Sequence, residues 1–293
     1  MNEHTVSNTQ KGSARFVVIA IASLLAPLLT ACQFAGPGGN DKLHRQFDRH
    51  VQKVELEPPT QVSWFEAGPK DARPVIYVHG TPGSASAWTD YLTNPINNLH
   101  AIAFDRPGFG ISTPNRAYPS LKDQAAVIDA LIQSQPSDLK PILVGHSLGG
   151  PIVARYAADH PDRVGGIVLV AGSLDPGLER VRPIQRVGCV PPFVWMLPSQ
   201  LRNANRELIP LEPELEDLET VLGRIQCPIV IIHGTKDSLV PYANVPFMEQ
   251  KFASNPSVRL ITIDGANHFI PWTHEPVIRA AISQLTDEIN TQP

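Results

Sequence analysis

From about Thr60 onward, short and almost continuously apolar runs alternate with longer stretches in which apolar residues recur at helical spacing. Val75-Ile76-Tyr77-Val78 is one such run, and others lie at 101–104, 141–144, 167–170, 229–232 and 260–263. They are rich in β-branched residues, as strands covered on both faces by helices should be. An alternating stretch, Val62-Ser63-Trp64-Phe65, adds a strand at the start. Between them, residues 120–133 read as a helix. It opens on the capping pattern Ser120-Leu121-Lys122-Asp123 and carries an apolar stripe at Val127, Ile128, Leu131 and Ile132. A second helix is expected over about 148–158. A third, over 275–289, has Ile278, Ile282 and Leu285 on one face. Strands alternating with helices predict an α/β fold with a mainly parallel sheet.

The alternation breaks between residues 172 and 226, where no strand is expected. Pro183, Pro191, Pro192 and Pro198 come first, then a helix with Leu211, Leu215, Leu218 and Leu222 on one side and acids on the other. This is an insertion between strands. Its apolar cluster Pro192-Phe193-Val194-Trp195-Met196-Leu197 either walls a pocket for an acyl chain or aromatic ring or buries the insertion against the sheet.

Ahead of the first strand the composition is that of a tether, polar and punctuated by Gly36-Pro37-Gly38-Gly39 and Pro58-Pro59. Leu43, Phe47 and Val51, spaced by four, predict a short amphipathic helix within it that docks on the domain. Before that, Lys11 and Arg15 precede an apolar stretch over 16–29, too short to span a bilayer comfortably and read as a signal peptide. The expected division is a leader over 1–31, a tether over 32–59, a core formed by 60–171 with 227–293, and the insertion over 172–226.

Leu29-Thr30-Ala31-Cys32 resembles the bacterial lipobox. That resemblance implies a lipidated Cys32 as the mature first residue and a chain anchored by lipid at the periplasmic face of the cell envelope. Gln33, standing where an Asp would signal retention at the inner membrane, favours the outer membrane. Cys189 and Cys227 would then sit where a disulfide could persist. Cys227, just before an apolar run, reads instead as a small buried hydrophobe.

Composition narrows the functional classes. With 42% hydrophobic and 18% charged residues the chain is an ordinary globular protein. A net charge of −4 with no basic run excludes nucleic acid as a partner. No Cys/His cluster has zinc-ligand spacing and no G-x-G-x-x-G follows a strand, so no cofactor is expected.

The chemistry centres on Gly145-His146-Ser147-Leu148-Gly149, which follows a strand and opens a helix. A sharp strand-to-helix turn strains and exposes a serine at its tip, and its glycines allow strand and helix backbones to approach closely. A serine hydroxyl needs a base, and the base needs a group that fixes its tautomer. His268, in the loop after the last strand, is the best-placed base. Asp237, after the penultimate strand, is the favoured acid, with Asp175 as the alternative. The backbone N–H groups of Leu148 and of Thr81, in His79-Gly80-Thr81-Pro82-Gly83, are the candidate donors to a developing oxyanion.

These segments, with Asp105-Arg106-Pro107-Gly108-Phe109-Gly110-Ile111-Ser112, together resemble the α/β-hydrolase superfamily from about Thr60 to the end. The resemblance implies a mostly parallel sheet of about eight strands flanked by helices, with a helical lid between the sixth and seventh. Asp105 and Arg106 read as shaping a loop beside the site. Where relatives that open epoxides or remove halides carry an Asp nucleophile, this chain has Ser147, which points to acyl transfer. The expectation is a serine hydrolase cleaving a carboxylic ester or thioester of a small to medium apolar substrate. C–C hydrolase, perhydrolase or acyltransferase chemistry, or an inactive envelope binding protein, are the alternatives. Nothing in the sequence speaks to oligomeric state.

Overall fold

A computed structural model describes Leu43 and residues 45–291. An eight-stranded sheet runs through it in the order β1-β2-β4-β3-β5-β6-β7-β8. The strands are β1 (His50–Val54), β2 (Thr60–Ala67), β3 (Arg73–Val78), β4 (Leu99–Phe104), β5 (Ile142–His146), β6 (Gly166–Val170), β7 (Ile229–Gly234) and β8 (Val258–Ile263). β1 and β2 are antiparallel, β2 pairs antiparallel with β4, and every pair from β4 to β8 is parallel.

The near-continuous apolar runs follow from helices on both faces. Successive strand residues point to opposite sides, so Ile76, Val78, Leu143, Ile167, Leu169, Ile229 and Ile231 enter one core cluster. Val75, Tyr77, Ile142, Val144, Val168, Val170, Val230 and Ile232 enter the other. Across the sheet, α1 (Thr89–Thr93) and the closing α10 (Glu275–Thr291) cover the second face through Tyr91, Leu92, Ile278, Ile282 and Leu285. The first face is covered by α2 (Leu121–Gln133) and α3 (Gly149–Asp159), with Leu121, Val127, Ile128, Leu131, Ile152 and Val153 inward. Ser120 caps α2 as expected, its hydroxyl accepting from the Asp123 N–H at 3.3 Å.

Between β6 and β7 stand α4 (Pro183–Val187), α5 (Phe193–Met196), α6 (Ser199–Leu208) and α7 (Leu211–Glu219). The expected leucine face of α7 is buried at Leu211, Leu215 and Leu218, while Leu222 falls in a separate 3₁₀ turn. α8 (Asn244–Lys251) and the single turn α9 (Ile270–Thr273) complete the helices used below.

Two expectations need correction. The helix drawn through Leu43, Phe47 and Val51 holds only as far as Phe47, whose N–H donates to the Leu43 carbonyl at 2.8 Å. Val51 is exposed on β1, an edge strand inside the segment expected as tether. The strand wins because His50, Gln52 and Val54 pair in register with β2, and the His50 ring stacks on Trp64 with centroids 4.3 Å apart. Nor does the cluster at 192–197 bury as a block. α5 is one turn, which can turn only one side inward. Val194 takes that side, leaving Phe193, Trp195 and Met196 exposed.

Candidate functional site

The parallel strands end on one edge of the sheet, and the loops leaving that edge build the site, as expected for open α/β folds. β5 runs into α3 through Ser147, which is held at φ 56°, a left-handed conformation rare for serine. Its backbone is pinned there. The Ser147 N–H donates to the Val170 carbonyl at 3.0 Å, and the Ser147 carbonyl accepts from the Gly150 N–H at 2.9 Å. The flanking glycines are required by contact. A Cβ on Gly145 would lie 2.3 Å from the Gly149 carbonyl oxygen, and one on Gly149 would lie 2.3 Å from that of Val78. Ser147 stays partly exposed while its neighbours are buried.

Asp237 and His268 are brought together as the sequence suggested. His268 Nδ1 lies 2.7 Å from Asp237 Oδ2. The other carboxylate oxygen accepts the N–H groups of Leu239 at 2.9 Å and Val240 at 2.8 Å. Burial alone would raise the carboxyl pKa. The bond and charge of His268 with the two N–H donors outweigh burial and hold it below the usual aspartate value. An ionised Asp237 accepts a hydrogen bond from Nδ1–H, which keeps the proton on Nδ1 and leaves His268 Nε2 as the basic nitrogen. Asp175, the alternative acid, is used locally, its Oδ1 accepting the Gly177 N–H at 2.8 Å.

His146, the residue before the serine, ties the two loops together. Its Nε2 lies 3.0 Å from the His268 carbonyl oxygen, and its ring packs 4.7 Å from that of His268 and 5.5 Å from Trp272. Burial, reinforced by His268, lowers its pKa to about 3, so the ring is neutral and Nε2–H is the donor.

The loop carrying Thr81 is fixed through the preceding carbonyl. A Cβ on Gly80 would come within 2.7 Å of Ser147 Cβ, so this loop lies directly against the serine. The Gly80 oxygen accepts from His79 Nδ1 at 2.7 Å and from Arg106 Nη2 at 3.0 Å. His79 Nε2 accepts the Arg106 N–H at 3.0 Å, which leaves the proton on Nδ1 and sets the tautomer. Burial and then the Arg106 charge hold His79 well below its ordinary pKa, so it stays neutral. Gly80 C=O and Thr81 N–H belong to one trans peptide plane and point in opposite directions. Two donors on the oxygen therefore orient the Thr81 N–H. Leu148, the other expected donor, directly precedes α3 and is buried.

Arg106 is fully buried and is held by a residue that sequence reasoning missed. Its guanidinium forms paired bonds to both carboxylate oxygens of Glu207 on α6, each 3.1 Å. Glu207 Oε1 also accepts from Gln124 Nε2 at 2.9 Å. Asn203, a turn earlier on α6, donates to the Gly108 carbonyl at 2.7 Å. The insertion is thus latched onto the loops beside Ser147. No short motif marks Glu207, which lies 101 positions from Arg106. Asp105 does shape its loop as expected, accepting the N–H groups of Ala85 at 2.7 Å and Ile111 at 3.0 Å.

Cys189 and Cys227 are both free thiols, and burial pushes Cys227 up to about 12. Cys32, with the leader and the first part of the expected tether, lies outside the described residues.

Known proteins share this fold. A non-heme chloroperoxidase from Streptomyces lividans is 28% identical over 269 residues, covering 77% of this chain and 95% of its own. A pimeloyl-[acyl-carrier protein] methyl ester esterase from Proteus mirabilis is 25% identical over 63% of this chain and 82% of its own. The crystal structure of a monoacylglycerol lipase from Paleococcus ferrophilus superposes with a TM-score of 0.64 at 21% identity, covering 77% of this chain and 98% of that one. The model of the alpha/beta hydrolase family matches residues 75–280, a span from β3 into α10 that contains Ser147, Asp237 and His268. The chain belongs to the α/β-hydrolase family and is a hydrolase.

Proposed function

We propose that the chain hydrolyses carboxylic esters of small to medium apolar substrates through an acyl-enzyme on Ser147. The observation that carries this reading is the 2.7 Å bond from His268 to Asp237, on the same sheet edge where Ser147 is held strained and partly exposed. His268 Nε2 removes the Ser147 proton as Oγ attacks the ester carbonyl carbon, and Asp237 stabilises the imidazolium that forms. The carbonyl oxygen becomes an oxyanion that the N–H groups of Leu148 and Thr81 meet, each donor worth about 3–4 kcal/mol in the transition state. His268 then protonates the departing alkoxide, which leaves as alcohol. Water, deprotonated by the same nitrogen, attacks the acyl-enzyme and releases the acid.

The ester-cleaving relatives support this substrate class, and the chloroperoxidase favours a second outcome at the same site. There hydrogen peroxide replaces water as the nucleophile, and the acyl group leaves as a peracid. We also propose that lipid carried on Cys32, in its lipobox-like sequence, anchors the enzyme at the bacterial envelope.

A series of p-nitrophenyl esters of increasing chain length, tested with wild type and Ser147→Ala, probes the reading. Turnover that disappears in the variant is expected, with the chain-length optimum sizing the acyl pocket. Turnover undiminished in Ser147→Ala would refute the acyl-enzyme, and hydrogen peroxide that yields no peracid would remove the second outcome.

A further inference from the structure

Most of the cluster at 192–197 stays exposed, with only Val194 turned inward, and that exposure calls for a partner. Trp195 is 73% exposed and Met196 76%, with Val187, Val190 and Phe193 exposed beside them. Among the described residues, the other exposed large apolar side chains are scattered at Val51, Leu139 and Leu239. Contiguous exposed apolar surface on a soluble domain marks an interaction site.

Charge identifies the kind of partner. Residues 180–206 contain Arg180, Arg182, Arg186, Arg202 and Arg206 and no acid, in a chain whose net charge is −4. Arg180, Arg182, Arg186 and Arg206 are exposed, and none of the five is in an ion pair among the described residues. Arginines bordering Trp, Phe, Met and Val form the composition of a surface that sinks apolar side chains to the acyl boundary of a bilayer and sets its cations among anionic headgroups. A second copy of the chain fits poorly, since a two-fold contact would set arginines against arginines.

The patch is also well placed. Glu207 and Asn203 seat α6 on the loops beside Ser147. On the outer side of α6, Asn205 Nδ2 donates to the Gln185 carbonyl at 2.6 Å and to Cys189 Sγ at 3.2 Å, hanging the α4 segment there. We propose that this outer layer of the insertion, Val187, Val190, Phe193, Trp195 and Met196 with their flanking arginines, docks onto the surface of an anionic lipid bilayer. Docking turns the catalytic edge toward the membrane, a contact separate from any lipid on Cys32 and independent of the chemistry at Ser147.

Fluorescence of Trp195 tests this in the full chain. Vesicles of dioleoylphosphatidylcholine, with or without dioleoylphosphatidylglycerol, are prepared with and without bromine on the acyl chains. The difference between wild type and Trp195→Phe isolates quenching at this site, because an amino-terminal anchor tethers the protein without inserting Trp195. Quenching by brominated anionic vesicles is expected. Each Arg→Gln change at Arg180, Arg182 or Arg186 should weaken docking about fivefold, and added salt should do the same on the unaltered chain. Equal quenching in uncharged vesicles would overturn the role of the arginines. No quenching in either vesicle would overturn the bilayer as partner and leave an acidic protein surface in its place. Unchanged thermal midpoints of the variants confirm that the fold is intact.

Discussion

The latch between Arg106 and Glu207 makes two separable contributions, and mutating it in two ways distinguishes them. Arg106 is fully buried and Glu207 nearly so, so Glu207→Ala strands a guanidinium in the interior with only the Gly80 oxygen and the Phe109 ring, 4.9 Å away, as company. Breaking a buried pair from one side costs about 3–5 kcal/mol. At roughly 2–4 °C per kcal/mol for a chain of this size, the thermal midpoint should fall by roughly 6–20 °C. Replacing both partners, Arg106→Met with Glu207→Leu, removes the stranded charge. Gln124 keeps its bond to the Tyr118 carbonyl at 2.8 Å, so most of the lost stability should return. Activity should not return with it. The Gly80 oxygen then keeps only the His79 donor, the Thr81 N–H is less firmly aimed, and kcat should fall toward the loss of one oxyanion donor, about 10²–10³, with KM little changed. Calorimetry and steady-state hydrolysis of a soluble p-nitrophenyl ester measure the two effects. A double variant with wild-type kcat would refute the positioning role of Arg106. Glu207→Ala melting within 1–2 °C of wild type, roughly 0.5 kcal/mol, would refute the burial argument.

Three further outcomes are expected. His146 is neutral in the folded protein down to about pH 3, whereas in the unfolded chain it gains a proton near its ordinary value of 6.5. Its folded pKa is the lower one, so its contribution is complete above about pH 6.5 and is lost on acidification at about 1.4 kcal/mol per pH unit. Urea unfolding of His146→Gln should show a shallower pH slope across that window, and parallel slopes would contradict the assignment. Asp237→Asn should lower kcat by about 10⁴ with the fold retained, because an amide can hold His268 in the wrong tautomer, and kcat within tenfold of wild type would rule Asp237 out as the orienting acid. Cys32→Ser should release active enzyme into the soluble fraction at high salt, where docking by the insertion is screened, and continued membrane attachment there would sink the lipobox reading.

What the sequence disclosed depended on how local each signal was. The central strands were legible because residues on both faces are buried, so runs such as Ile229–Ile232 are apolar without interruption. The candidate site residues Ser147, Asp237 and His268 were legible because each lies in the segment that leaves a strand, and the parallel strands bring those segments to one edge. β1 was hidden because an edge strand with one open face has little apolar signal, and the four-residue spacing of Phe47 and Val51 mimics a helix. Glu207 and His146 were hidden for another reason. Their partners, Arg106 and the His268 carbonyl, lie 101 and 122 positions away, and no local pattern records such a pairing. The orientation of α5 was open because a single turn has too few residues to reveal which side faces inward.

The central claim is that Ser147 carries the acyl group. Acid-quenching the enzyme during turnover of p-nitrophenyl acetate and mapping peptides by mass spectrometry tests it directly. The account predicts one acetyl group on Ser147, absent from Ser147→Ala and persisting longer in Asp237→Asn. Turnover with no acetylated peptide, or with the acetyl group on another residue, would contradict it.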